Sequence, residues 1–551
     1  MKRNKYLLLG SSIGALILLI VAASQEHLRE WRRIQSSVSS DKGPISVRIR
    51  QVVSPGLRTN DRCVSCHVGM DPGEQGVRGL SLSVSHKPVV HDISDFGCTI
   101  CHGGQGLATE KADAHGDVPF WPEPMLPKRF SQAGCGTCHA AQAIPNKQTF
   151  FSASLAFDRL DCLACHRMDG KGGTIRPNGL GMEGPDLSSV GISGYDREWY
   201  SKHLLQSSKA DSGVWRTSFN PINNEDLDLL AGYLSTRVGA PRLIEGKVIF
   251  LSSGCMGCHK VSGVGGDEGL DLTRAGEKDP GRASFAGILG ERNLTNWFAE
   301  HMRSPSAVVT GSLMLPVPAG DDDIDLLTLY TFSLRRRELP GSYLPKDRLS
   351  IEKFGEREFA SDGTTIFGAF CTGCHGGKGQ GRRAPGRITF PAIASPDFLA
   401  LVSDEVLTNT VIQGRPGRKM PAWGEKDGGL RIAEIKAAIA FLRQLSGVGM
   451  RPDPKPARWI SGNIIGGKRL YESACASCHG QNGIGGEGPA LNNRVLLANA
   501  TDTYFVETIS RGRQGTTMEG FLNPSPARPT LSSEEIQEVI AYIRTWQGDK
   551  K

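Results

Sequence analysis

The chain has 551 residues, 39% of them hydrophobic and 22% charged, with a formal charge of +7. That length points to several domains rather than one, with the balance of an ordinary soluble globular chain. Glycine is abundant at 68 and crowds around the cysteines, which points to loop-rich units wrapped around something other than side chains.

The first element is at the amino terminus. Lys2, Arg3 and Lys5 precede Tyr6 to Ala23, an uncharged, mostly apolar run of eighteen residues. The run is near the lower limit for a spanning helix and longer than the usual core of a signal peptide. Val21-Ala22-Ala23 before Ser24 has the form of a cleavage site. Residues 1–24 are therefore a membrane anchor or a signal, with the length favouring an anchor. Trp31, set among the charges of His27 to Arg33, suits a membrane interface.

All fourteen cysteines fall in C-x-x-C-H motifs. They are Cys63/Cys66/His67, Cys98/Cys101/His102, Cys135/Cys138/His139, Cys162/Cys165/His166, Cys255/Cys258/His259, Cys371/Cys374/His375 and Cys475/Cys478/His479. This is the attachment signal for c-type haem. Two thiols add to the haem vinyl groups and the adjacent histidine ligates iron. Zinc ribbons, redox pairs and disulfides are the alternatives. With only 13 histidines in the chain, one after every pair excludes chance, and no cysteine is left for another role. The expected cofactor is heme c, seven per chain and covalent. Haem propionates cancel the apoprotein's positive charge, so no nucleic-acid surface is indicated.

The first three motifs start only 35 and 37 residues apart. About forty residues cannot build a hydrophobic core of their own, so residues 25–147 are expected to be a triheme domain whose haems are the core. Beyond it the spacing opens to 93, 116 and 104 residues, and each motif is followed by an amphipathic segment. These run Asp226–Leu234, Asp323–Tyr330, Glu434–Leu442 and Glu535–Ile543, with Tyr233, Tyr330, Phe441 and Tyr542 at matching places. Linkers rich in proline or charge lie at 335–346 and 450–456.

This repeat resembles class I cytochrome c domains, over about four hundred residues. In that family a first helix enters C-x-x-C-H and a closing helix carrying an aromatic packs back on it. Gly246 and Phe250, Phe367, and Gly467 and Tyr471 match the first helix. The resemblance implies a mainly α fold: an N-terminal membrane helix, the triheme domain, then four cytochrome c-like domains at 148–240, 241–340, 347–447 and 457–551. It also implies that Pro185, Pro391 and Pro489 offer their carbonyls to the proximal histidines. The fifth motif is followed instead by Gly269-Leu270, which puts that contact in doubt.

The sixth iron position sets each haem's chemistry. By the resemblance, Met420, Met518 and Met314 stand where a distal methionine precedes the closing helix; packing is their other reading. The fourth domain has no methionine in that slot, Trp215 to Phe219, but His203 lies four residues after Trp199. His301 lies four after Trp297 in a domain that does have a methionine. That leaves His203 open between ligand and helix-surface residue. His86, His91 and His115 number one per haem in the triheme domain, which suggests bis-histidine ligation. Met70, Met125 and Met168 are weaker candidates.

The chain also resembles the membrane-anchored multihaem subunits that accompany bacterial quinol-oxidising complexes. That implies electron transfer in the periplasm, anchored to the cytoplasmic membrane, between quinol-oxidising membrane subunits and a soluble cytochrome or terminal oxidase. No catalytic residues are expected. The alternative is a multihaem oxidoreductase with an open site at the fourth haem.

Overall fold

The computed structural model describes all residues except 1, 75, 80–85, 87–88, 174–183, 206–221, 385–387, 417–419, 527 and 549–551. The fold is mainly α, with five two-stranded antiparallel hairpins among the described residues.

Helix Lys2–His27 opens the chain. Its stretch Asn4–Gln25 has a mean hydropathy of 2.4, and none of its 18-residue window is buried against the rest of the protein. It is long and apolar enough to cross a bilayer. The next helix, Glu30–Ser36, turns Trp31 and Ile34 inward.

Among the described residues, 39–139 hold only short helices and two small hairpins. With the preceding segment they share a slight apolar cluster: Ile34, Val38, Ile45 and Val68. What ties the motifs here is polar. The buried Asp61 carboxylate accepts from the backbone N–H of Cys98 and Thr99, at 2.5 and 3.0 Å, and from the Thr99 hydroxyl at 2.8 Å. The strand entering the first motif thus caps the turn of the second.

From residue 147 the architecture becomes four helix pairs: Lys147–Arg159 with Asn224–Ser235, Pro241–Ser252 with Asp321–Ser333, Gly363–Ile366 with Ile432–Ser446, and Ile464–Ala474 with Ser533–Arg544. Each crossing has an aromatic from either side. Phe150 and Phe157 both lie 5.6 Å from Tyr233, Phe250 lies 4.9 Å from Tyr330, Phe367 5.5 Å from Phe441, and Tyr471 5.7 Å from Tyr542. The helices approach closely because glycine stands at the contact. A Cβ on Gly467 would lie 1.9 Å from the Glu538 carbonyl oxygen, and one on Gly246 2.4 Å from that of Leu326.

The four pairs come in two builds. In the fourth and fifth, a left-handed residue breaks the first helix just before the motif: Asp161 at φ 52° and Gly254 at φ 76°. A tight hairpin follows the motif in both, Arg167–Met168 with Lys171–Gly172 and Lys260–Val261 with Val264–Gly265. In the sixth and seventh no residue between the first helix and the motif is left-handed, and the motif histidine is followed by Gly376 or Gly480, both left-handed.

One continuous apolar core runs from Leu126 to Leu442, and the last helix pair has a core of its own. Lys247 locks the segment after the third motif to the helix pair around the fifth motif. It is fully buried, and its Nζ donates to the Ala140 and Gln142 carbonyls at 2.6 and 2.5 Å.

A branched side chain has no room at the last crossing. Gly467→Val should therefore destabilise the carboxyl-terminal domain by about 1–3 kcal/mol. Denaturant titration of the full chain should show an earlier first transition, whereas an unchanged curve would mean that the helices do not cross at this glycine.

Candidate haem-binding sites

The C-x-x-C-H segment is one helical turn. The histidine N–H donates to the first cysteine's carbonyl at 2.9 Å in the first motif, 3.0 Å in the second and 2.8 Å in the third, and at 3.0 Å in the fourth, fifth and seventh. Residues three and four apart share a helix face. The two sulfurs and the imidazole therefore point to one side, which is why the spacing has to be two residues and then none. The zinc reading needs several such side chains around one ion. Among the described residues, no group of three or more His, Cys, Asp or Glu is placed to hold one.

Four motif histidines are oriented by a carbonyl. His166 Nδ1 meets Pro185 O at 2.9 Å, His375 meets Pro391 O at 2.8 Å and His479 meets Pro489 O at 2.8 Å. The fifth motif keeps the contact without proline: His259 Nδ1 meets Leu270 O at 2.8 Å. Such a bond fixes the ring and its tautomer, leaving Nε2 for a metal. Gly184, Gly269 and Gly488 lie against the same rings; a Cβ on Gly269 would come within 2.4 Å of His259. His139 differs: it is buried and its Nδ1 has no protein partner.

The triheme histidines pair across the motifs rather than in order. His86 lies opposite His102, with ring centroids 6.2 Å apart, and His91 opposite His139 at 5.8 Å. Burial, and then the nearby His115, lowers the pKa of His67. Burial first and then His91 push His139 down to about 4. These rings are neutral near pH 7, the form that binds metal. Two imidazoles on opposite sides of one metal, with metal–nitrogen bonds of about 2 Å, hold their centroids about 6 Å apart. The observed separations fit that arrangement.

His203 also fits. It sits on helix Arg197–Leu205, with its ring 6.3 Å from that of His166 and stacked on Trp199 at 5.1 Å and 5°. The slot Trp215 to Phe219 lies outside the described residues.

The three methionines differ in their surroundings. Met420 and Met518 pack against the cores of their domains. Each ends a loop closed by the same bond: Arg415 N–H donates to Met420 O at 2.9 Å, and Arg513 N–H to Met518 O at 2.6 Å. Met518 also lines a cleft of about 690 Å³ between residues 396–400 and 511–528. Met314 is half-buried in an irregular stretch, beside the exposed Leu313. Met70 ends a short 3-10 turn, Met125 is exposed and Met168 is buried in the core.

Several motifs touch. The Cys63 and Cys98 side chains lie against each other, as do those of Cys258 and Cys374. A Cβ on Gly134 would collide with the Cys101 carbonyl, and one on Gly254 would lie 2.1 Å from the Gly373 nitrogen. The first three motifs form one contiguous group, and the fifth and sixth another.

The attachment cysteines are not equivalent. Twelve are half-buried, but Cys165 and Cys478, the second cysteines of the fourth and seventh motifs, are exposed. Among the described residues the contacts between motifs join the other five motifs. Cys165 and Cys478 share a helix face with their motif's histidine.

Sequence reading missed Asp61, the Leu270 carbonyl, the motif-to-motif contacts and the exposure of Cys165 and Cys478. For the loops before Met420 and Met518 there was a signal, since Gly414-Arg415 and Gly512-Arg513 stand at the same offset.

The family described as cytochrome c oxidase, cbb3-type, subunit III, matches residues 358–442 and 462–543. Curated relatives carry the same type of name. The cbb3-type cytochrome c oxidase subunit FixP of Bradyrhizobium diazoefficiens is 31% identical over 200 residues, covering 34% of this chain and 61% of the relative. The subunit CcoP of Azospirillum sp. is 29% identical over 206 residues, covering 34% and 62%. The chain thus spans about three fifths of these relatives. A solved structure, the reducing HAO-like protein complex of Kuenenia stuttgartiensis, aligns with 33% of this chain and 94% of its own at 19% identity and a TM-score of 0.23.

The fifth motif's histidine needs only a carbonyl, not a proline ring. Leu270→Pro should leave the absorption spectrum of the haem-loaded protein unchanged and shift stability by less than about 1 kcal/mol. A lost or broadened band, read by absorption spectroscopy during thermal melting, would show that the leucine side chain or N–H matters as well.

Proposed function

We propose that this chain, a multihaem c-type cytochrome, binds seven haems and conducts electrons on the outer side of the cytoplasmic membrane, held there by helix Lys2–His27. Bound haem supplies a one-electron ferric/ferrous couple. The chain's own part is to hold each iron on both sides and to bring the attachment sites together. The observation that carries this reading is the contact between successive motifs, Cys63 with Cys98, Cys101 with Gly134, and Cys258 with Cys374. Domain boundaries as read from the sequence, and His67 to His479 as proximal ligands, are part of the proposal.

Filled iron positions favour conduction over catalysis. His86, His91 and His203 each face a motif histidine, and His115 lies near His67. His203 stands where an open site at the fourth haem would have to be, and this weighs against the enzymatic alternative.

Direction follows from ligand type. A thioether stabilises ferrous iron relative to a second imidazole and so raises the potential. The histidine pairs lie nearest the apolar helix in the chain; Met420 and Met518 lie at the far end. Electrons would then enter from a quinol-oxidising membrane subunit near Cys63 to His139. They would leave near Cys475 to a soluble cytochrome or terminal oxidase, a role in keeping with the oxidase names of the relatives. Haem attached at the exposed Cys478 would present one edge to an acceptor.

Intact mass should show seven haem additions, and a motif left unmodified in mature protein would reduce the count. In the full chain, Met518→Ala should remove the highest-potential step of a redox titration and part of the methionine–iron absorption. If the lowest-potential step is lost instead, the proposed direction is reversed. Cell fractionation places the protein: complete release by osmotic shock would rule out the anchor.

A further inference from the structure

We propose that His301, not Met314, is the distal ligand of the fifth haem, opposite His259. The inference rests on haem binding at the fifth motif as proposed above.

Three independent features lead to it. The first is the shared build of the fourth and fifth helix pairs, with a left-handed residue before the motif and a hairpin after it. In the fourth, a helix after the hairpin carries Trp199 and His203, with the rings stacked at 5.1 Å and 5° and His203 facing His166. The fifth repeats the device on helix Leu294–Arg303. Trp297 and His301 are again four residues apart and stacked, at 4.9 Å and 10°. The Trp297 indole N–H donates to Ser284 O at 3.0 Å, and Lys278 lies 4.4 Å from the ring centre. Those contacts fix the tryptophan plane and, through it, the imidazole.

The second feature is an unsatisfied atom. Nδ1 of His301 is buried and finds no hydrogen-bond partner in the protein. A buried nitrogen left unpaired destabilises the fold. Among the described histidines only His139, itself in a motif, shares this condition. The ring is close enough to His259 for their charges to repel; burial first and His259 second push it down to about 4, a neutral imidazole at neutral pH. This agrees with the geometry without carrying it.

The third feature concerns Met314. Met420 and Met518 end loops that begin Gly414-Arg415 and Gly512-Arg513, closed by the arginine N–H on the methionine carbonyl. Among the described residues no such bond holds Met314. Its own N–H donates to Ser312 Oγ at 3.3 Å, and Leu313 beside it is exposed. The two devices divide the domains: tryptophan–histidine helices serve the fourth and fifth, arginine–methionine loops the sixth and seventh.

The test uses the full, haem-loaded chain. Intact mass comes first: unmodified Cys255 and Cys258 in the wild type would sink the haem reading itself, apart from any question of ligand. With seven haems attached, Met314→Leu should leave the methionine–iron absorption and the low-spin ferric resonance unchanged. His301→Gly should create one high-spin haem per chain, which added imidazole converts back to low spin. Should that variant fail to mature, His301→Met provides the second readout. It should raise the methionine–iron band by about half, from two haems to three, and move one haem to higher potential. Loss of about a third of that band in Met314→Leu, or a wholly low-spin His301→Gly, would overturn the proposal.

Discussion

A helical turn of five residues can place two thioethers and one imidazole on a single side of a metal, and no more. Whatever lies on the opposite side has to come from elsewhere in the chain. Most of this structure answers that constraint. Around the first three motifs the chain interleaves: His115 lies near the first motif, while His86 faces the histidine of the second and His91 that of the third. No forty-residue piece there is complete by itself, in keeping with an apolar cluster of only four residues. From residue 147 on, the frame is a pair of crossed helices around each motif.

The attachment sites were legible because covalent chemistry tolerates no variation in spacing. Their surroundings were not: nothing in the motif itself distinguishes the exposed Cys165 and Cys478 from the half-buried Cys258 and Cys374, since what covers a sulfur is a distant segment. The closing helices were legible too, since their aromatics must meet the first helix; Tyr233, Tyr330, Phe441 and Tyr542 all do. The oriented proximal ring was only partly so. Proline after the motif is a visible letter, but the histidine uses a backbone carbonyl, which Leu270 supplies equally well. Which triheme histidine serves which motif could not be read, because loops of irregular backbone leave no periodicity to follow. The left-handed Asp161 and Gly254, which separate the two builds, are backbone states, and only Gly254 hints at one in its side chain.

The boundary between those builds coincides with the reach of the family match. The cbb3-type match covers residues 358–442 and 462–543, the two domains whose methionine loops begin with Gly-Arg. The fourth and fifth helix pairs lie outside it. They share the crossed helices but differ in how the chain enters and leaves the motif.

The contact between Cys258 and Cys374 bears on how the molecule is assembled. Haem attachment consumes each sulfur as a free thiol. Here two thiols from different motifs meet, backed by Gly254 and Gly373 with no room for any side chain between them. On the proposed haem reading, both sulfurs have to remain free thiols until haem reaches them.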